Sequence, residues 1–128
     1  EDFDQDGDLD LFVANDYGPN NVYRNEDGKF SEVAAEIGME GSAASMGLTF
    51  ADYDLDGDFD LLQNYTAGRG FRIWRNEGDG TFAETPEEII EDYIAGASFG
   101  IGVCDFDLDG DEDFLGLNMI RKNKKDIK

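Results

Sequence analysis

Apolar positions along this chain recur in short stretches of two distinct kinds. In Ser45–Ala51 the bulky Met46, Leu48 and Phe50 alternate with Gly47, Thr49 and Ala51, the period of two expected of a strand. Ser98–Cys104 repeats the alternation, with Phe99, Ile101 and Val103 against Gly100, Gly102 and Cys104. A face of such small residues predicts close approach by a neighbouring backbone. The second kind is Asp60–Asn64, with copies at Asp10–Asn15 and Asp113–Asn118. These runs are nearly continuous in apolar residues and predict strands covered on both faces. A third strand is predicted over Phe71–Arg75 (copy Asn21–Arg24) and a fourth over Thr81–Thr85. Asn76–Gly80 joins them with the Asn, Asp and Gly residues that suit a hairpin turn. Val33–Ala44 and Pro86–Ala97 lead from one set of strands to the next, and Pro86 ahead of Glu-Glu-Ile-Ile predicts a helical turn.

The sets are copies of one another. Asp2–Asp10 reads DFDQDGDLD, Asp52–Asp60 DYDLDGDFD and Asp105–Asp113 DFDLDGDED. VYRNEDGKFSE (Val22–Glu32) matches IWRNEGDGTFAE (Ile73–Glu84) with one residue of length difference. Four short antiparallel strands in a repeat of about 50 residues describe a β-propeller blade. The expected fold class is therefore all-β, a fragment of about two and a half four-stranded antiparallel blades. A partial blade with its linker takes 1–44, a whole blade with its linker 45–97, and the first two strands of another, with a basic end, 98–128. Propeller rings close with four to eight blades, so a piece of a longer protein is expected.

Composition narrows the chemistry. The 128 residues hold 31 acids, 10 bases and no His, for a formal charge of −21. So negative a chain repels phosphate backbones, which argues against a nucleic-acid partner. No apolar run reaches membrane-spanning length, so no membrane insertion is expected in this segment. Without His, triads that use a His base and His-based zinc sites are excluded within the chain. Sixteen of the acids sit in the three Asp clusters, whereas five of the bases crowd the last eight positions. Clustering of that kind points to a bound cation.

Each cluster spaces carboxylates at positions 1, 3, 5, 7 and 9, with Gly at 6. Ca²⁺ takes six to eight hard oxygen ligands in tolerant geometry, and Gly permits the positive-φ turn that curls the ligands inward. In the second loop, Asp52, Asp54 and Asp56 are expected as side-chain ligands, Asp58 through its carbonyl, and Asp60 as a bidentate closer. Asp2, Asp4, Asp6, Asp8 and Asp10 follow the same order, as do Asp105, Asp107, Asp109, Asp111 and Asp113. Up to three Ca²⁺ ions are expected, one per loop. Two bare carboxylates ~5 Å apart repel by about 3 kcal/mol at an effective dielectric of ~20, so metal uptake should be coupled to folding. An EF-hand would need Glu at position 12 and flanking helices, but Val13, Gln63 and Gly116 stand there between predicted strands. Mg²⁺, which keeps its water and demands octahedral geometry, suits such a loop less well. Glu112, the extra acid of the third loop, is expected to face solvent.

The succession S-x-G-x-x-F-x-D-x-D-x-D-G-D-x-D-L, then Y-R-N-x-x-G-x-F, resembles FG-GAP/VCBS repeats across residues 1–118. It is most similar to those of cartilage-acidic-protein-like, ASPIC/UnbV-associated proteins, and more distantly to integrin α-chain propellers. The resemblance implies a secreted or cell-envelope β-propeller with Ca²⁺ in the loops between each blade's first two strands. It carries an expectation of protein or glycan recognition and adhesion rather than catalysis. The alternative is the propeller domain of an extracellular polysaccharide-degrading enzyme, although no nucleophile–base constellation stands out. Cys104, which aligns with Ala51, is expected to be a buried structural thiol. Trp74 is expected to pack, and Arg24, Arg75, Asn25 and Asn76 to serve turns at strand ends. Tyr65, Arg69 and Arg72, around the least repeated loop, are candidates for recognition.

Overall fold

The computed structural model describes residues 1–40, 45–65, 71–85 and 97–119. The expected helical turn at 86–90, Arg69 and the basic end at 120–128 lie outside the described residues. Within them the protein is all-β, with no helix, and its nine strands form three antiparallel sheets. The first sheet orders β1 (Leu11–Val13), β2 (Asn21–Glu26) and β3 (Lys29–Glu32). The middle sheet orders β4 (Ser45–Ala51), β5 (Asp60–Tyr65), β6 (Phe71–Asn76) and β7 (Phe82–Glu84). The third pairs β8 (Ala97–Cys104) with β9 (Asp113–Met119). The middle sheet is a complete four-stranded meander, the blade expected from the repeat.

Alternation along the middle strands decides how the sheets stack. Leu61 lies opposite Trp74 and faces the first sheet, in a core with Phe3, Val22 and Phe82. One step on, Leu62 lies opposite Ile73 and faces the third sheet, joining Ala51 against Ile101, Val103 and Phe114. Phe12 sits edge-on to Phe3, Phe50 and Phe82, with ring centroids 5.1–6.1 Å apart, knitting the first and middle sheets together. The linker after β3 adds Val33, Ala34, Ile37 and Met39 to that core. Gly38 lets the linker pass: at φ +85° it sits where a Cβ would come 2.6 Å from the Phe82 carbonyl, and Phe82 N donates to Ile37 O at 2.8 Å.

Three expectations are corrected by this stacking. Coverage on both faces holds for β5, whose Leu61–Asn64 are all buried, but not for its copies. Leu11 and Leu115, on the outward faces of the first and third sheets, stay 49% and 52% exposed. Cys104 is exposed rather than buried. Its counterpart Ala51 is covered by the third sheet, and no described sheet covers Cys104 in the same way. Met46 does not share the bulky face with Leu48 and Phe50, because the ladder slips between Ser45 and Gly47 and leaves it as an exposed bulge residue. The same slip between Ser98 and Gly100 shows that the bulge belongs to the repeat.

The register also re-sorts one alignment. Ser45 pairs with Tyr65, five residues after Asp60, as Ser98 pairs with Asn118, five after Asp113. Tyr65, not Asn64, therefore holds the place of Asn15 and Asn118. Gln63 is turned inward and accepts from Trp74 Nε1 at 2.8 Å. Its Nε2 donates to Ser45 Oγ, which also accepts from Asn20 Nδ2, just ahead of β2 of the first sheet, at 2.8 Å. Trp74 packs, as expected, and this buried polar chain crosses from one sheet to the next.

Burial by a neighbouring sheet should dominate stability. Leu62→Ala is expected to lower the unfolding free energy by about 2–4 kcal/mol, and Leu115→Ala at the equivalent exposed position by less than about 1 kcal/mol, in urea denaturation.

Candidate metal centre

Each Asp loop joins two strands, and its backbone is held by its own carboxylates. The position-1 Asp accepts from later amides: Asp2 from Asp6 N and Gly7 N at 3.1 and 3.0 Å, and Asp52 from Gly57 N at 3.2 Å. Asp105 accepts from Asp109 N and Gly110 N at 3.2 and 3.1 Å. The position-5 Asp accepts from position 7, through Asp6–Asp8, Asp56–Asp58 and Asp109–Asp111 contacts of 2.8, 3.0 and 3.3 Å. Gly7, Gly57 and Gly110 have φ of 98°, 98° and 102°, the turn anticipated from their position. Position 4 is left-handed as well, at Gln5 (58°), Leu55 (59°) and Leu108 (64°). Nothing in these side chains advertises that conformation.

Curling brings the acids together. Carboxylate oxygens of Asp2, Asp4 and Asp6 lie within 4.8 Å of one another, as do those of Asp52, Asp54 and Asp60 and those of Asp105, Asp107 and Asp113. At position 7, where the carbonyl is the expected ligand, the side chains hold other parts of the molecule. Asp8 Oδ2 accepts from Asp27 N at 2.7 Å, tying the first loop to the β2–β3 turn. Asp58 Oδ1 accepts from Gln5 Nε2, joining the first loop to the second. In the third loop, a hydrogen bond between the Asp109 and Asp111 side chains lowers the pKa of Asp109 and raises that of Asp111.

The position-9 Asp has a further duty beyond any metal. Asp60 is fully buried, and its oxygens accept from Tyr53 N and Asn76 N, both at 2.8 Å. Asp10 does the same for Phe3 N (3.0 Å) and Asn25 N (2.9 Å), and Asp113 accepts from Phe106 N at 2.8 Å. This carboxylate thus clips the loop's second residue and, in the first two blades, the end of the third strand onto the head of the second. Burial pushes the Asp60 carboxyl up to about 6, with the Asp54 and Asp56 charges adding to it against the pull of the two N–H bonds. Asp10 is also raised, chiefly by burial.

The donor set fits a hard divalent cation. Asp4 Oδ1 and Asp52 Oδ1 are buried without a hydrogen-bond partner. A carboxylate oxygen left dry and unpaired is costly unless a cation meets it. All the grouped donors are oxygens, the ligand type that Ca²⁺ takes.

The loops also touch across sheets. Glu112 faces solvent, as expected, and from there also accepts from Asp52 N at 3.1 Å. Asn76 Nδ2 donates to Phe3 O at 3.1 Å, while its Oδ1 accepts from Gly78 N, the turn role foreseen for it. Asn25 likewise accepts from Gly28 N and donates to Leu9 O. Arg75 serves its turn as expected, donating from Nε to Glu77 Oε1 at 3.0 Å, whereas Arg24 makes ion pairs outside its turn, with Asp4 and Glu36. Arg72 pairs with Glu84 across the middle sheet.

Antiparallel blades stacked face to face, each opened by an Asp loop of one design, define a propeller-type repeat protein. The chain matches the FG-GAP-like repeat family over residues 2–62 and 65–116, and it belongs to that family. No curated protein matches the chain. No helix among the described residues is long and apolar enough to cross a membrane.

The raised Asp60 pKa has a definite sign. In the unfolded chain this carboxyl ionises near 3.8, and in the folded chain only near 6. Its contribution to stability is therefore full below the lower value and is lost as pH rises through the upper one. In chelator-treated protein, the stability of wild type relative to Asp60→Asn should fall by about 2 kcal/mol between pH 4 and 7. Denaturation series at several pH values, with and without Ca²⁺, check this, and a bound cation should shrink the fall.

Proposed function

We propose that the chain is a Ca²⁺-stabilised recognition module, a run of FG-GAP propeller blades from a secreted or cell-surface protein. In this reading it binds protein or glycan and performs no catalysis of its own. The observation that carries the metal assignment is the buried, unpartnered Asp52 Oδ1 within a group of three carboxylates whose oxygens lie within 4.8 Å. Membership of the FG-GAP-like family supports it. Ca²⁺ would supply the positive charge that lets these carboxylates crowd together, and Asp2/Asp4/Asp6, Asp52/Asp54/Asp60 and Asp105/Asp107/Asp113 would hold it. The chain's own part is structural, since each loop leads directly into a core strand. An extracellular setting, where Ca²⁺ is abundant, follows from the same reading, as does a recognition role for a rigid, stacked scaffold.

Calorimetric titration of chelator-treated protein tests the assignment. Up to three Ca²⁺ ions should bind, with a rise in melting temperature and much weaker uptake of Mg²⁺. Asp54→Ala, at an exposed ligand position, should lower the stoichiometry by one. No Ca²⁺ uptake, or uptake unchanged in Asp54→Ala, would contradict it. Protein and glycan arrays probed with the Ca²⁺-loaded protein test the recognition role, and the absence of any binder would count against it.

A further inference from the structure

The first two loops share a motif but not a charge environment. In the first blade the Arg24 Nε lies 3.0 Å from Asp4 Oδ2, and both side chains are about four-fifths buried. The guanidinium rests 5.7 Å from the centre of the Phe3 ring and reaches Glu36 with its Nη1 at 3.1 Å. The other oxygen of the same carboxylate, Asp4 Oδ1, is buried without a hydrogen-bond partner. Asp4 therefore presents one oxygen to Arg24 and keeps the other dry. The equivalent arginine of the second blade, Arg75, makes its ion pair with Glu77 instead and is about half exposed.

The difference traces to one inserted residue. The first hairpin turns through Asn25-Glu26-Asp27-Gly28, and the second through Asn76-Glu77-Gly78-Asp79-Gly80. In the second, Glu77 follows the end of β6 in an extra stretch of loop, close enough for its Oε1 to accept from Arg75 Nε at 3.0 Å. In the first, Glu26 remains in β2, paired with Lys29, and Arg24 turns to Asp4.

We propose that Arg24 is a resident rival cation at the first loop, so that this loop takes Ca²⁺ more weakly than the second while depending less on it for its shape. The proposal rests on the calcium reading above. A unit positive charge roughly 6 Å from a divalent ion lowers its affinity about tenfold even at the dielectric of water. The same charge neutralises Asp4 by direct contact in the absence of metal, whereas Arg75, ion-paired with Glu77, acts on Asp54 and Asp56 only through space.

The test titrates Ca²⁺ into the chelator-treated full chain while ¹⁵N–¹H NMR follows the amides of Gly7 and Gly57, one reporter in each loop. In the wild type, Gly57 should reach its midpoint at a Ca²⁺ concentration several-fold lower than Gly7, short of about tenfold because Arg75 also acts on Asp54 and Asp56. Arg24→Gln should move the Gly7 midpoint about tenfold lower, leave Gly57 within about twofold, and lower the melting temperature in chelator. Arg24→Lys, which keeps the charge, should leave Gly7 near its wild-type midpoint. Coincident midpoints in the wild type would overturn the proposal without recourse to any variant. It is overturned equally if Arg24→Gln leaves Gly7 unchanged or weakens its Ca²⁺ response, the result expected if Arg24 merely orients Asp4 as a ligand. Absence of a Ca²⁺ response at both glycines would remove the calcium reading itself, a distinct outcome from either of these.

Discussion

At the head of each second strand stands one Asp whose oxygens are claimed by backbone N–H groups. Asp60 holds Tyr53 N at one side and Asn76 N at the other, and Asp10 holds Phe3 N and Asn25 N in the same way. Loop, second strand and third strand meet at that carboxylate. Because it is buried, its charge is unfavourable until something positive or hydrogen-bonding offsets it. Two amides offset part of it, and the raised Asp60 pKa measures what is left over. The blade is thus built around a carboxylate that the fold alone does not fully satisfy.

From that clip the rest of the blade follows. Tyr53 and Phe3, placed by it, pack against Phe114 and Phe82 of the next sheet, so loop geometry passes directly into the inter-sheet core. The loops also meet one another, through Gln5 and Asp58 and through Glu112 and Asp52 N. Metal sites and sheet stacking are therefore not independent parts of the molecule. A change of charge in one loop is felt where the sheets are joined.

Much of the candidate site was legible from spacing. Alternate Asp residues with Gly at position 6 mark a curled oxygen-rich loop, because only Gly takes positive φ without strain and alternate side chains can converge. The left-handed backbone at Leu55 and Leu108 was not legible, since leucine carries no mark of it and only the closure of the loop imposes it. Nor was the division of labour among the acids. Position 7 holds hairpin and neighbour contacts through its side chain, a role set by which turn lies overhead.

The sequence by itself determined the repeat, the strands and their order, because hydrophobic period and turn residues are local properties. It also determined that the acids come in three matched groups. What covers each strand was decided only by tertiary structure. Leu62 and Leu115 occupy the same place in their blades, yet one is buried and the other half exposed, and Ala51 is enclosed where Cys104 is open. The pairing of arginines was decided there too. Arg24 and Arg75 sit in near-identical motifs, yet one meets a loop carboxylate across space and the other a neighbouring Glu. Burial and ion pairing depend on what lies across space, and no local pattern encodes that.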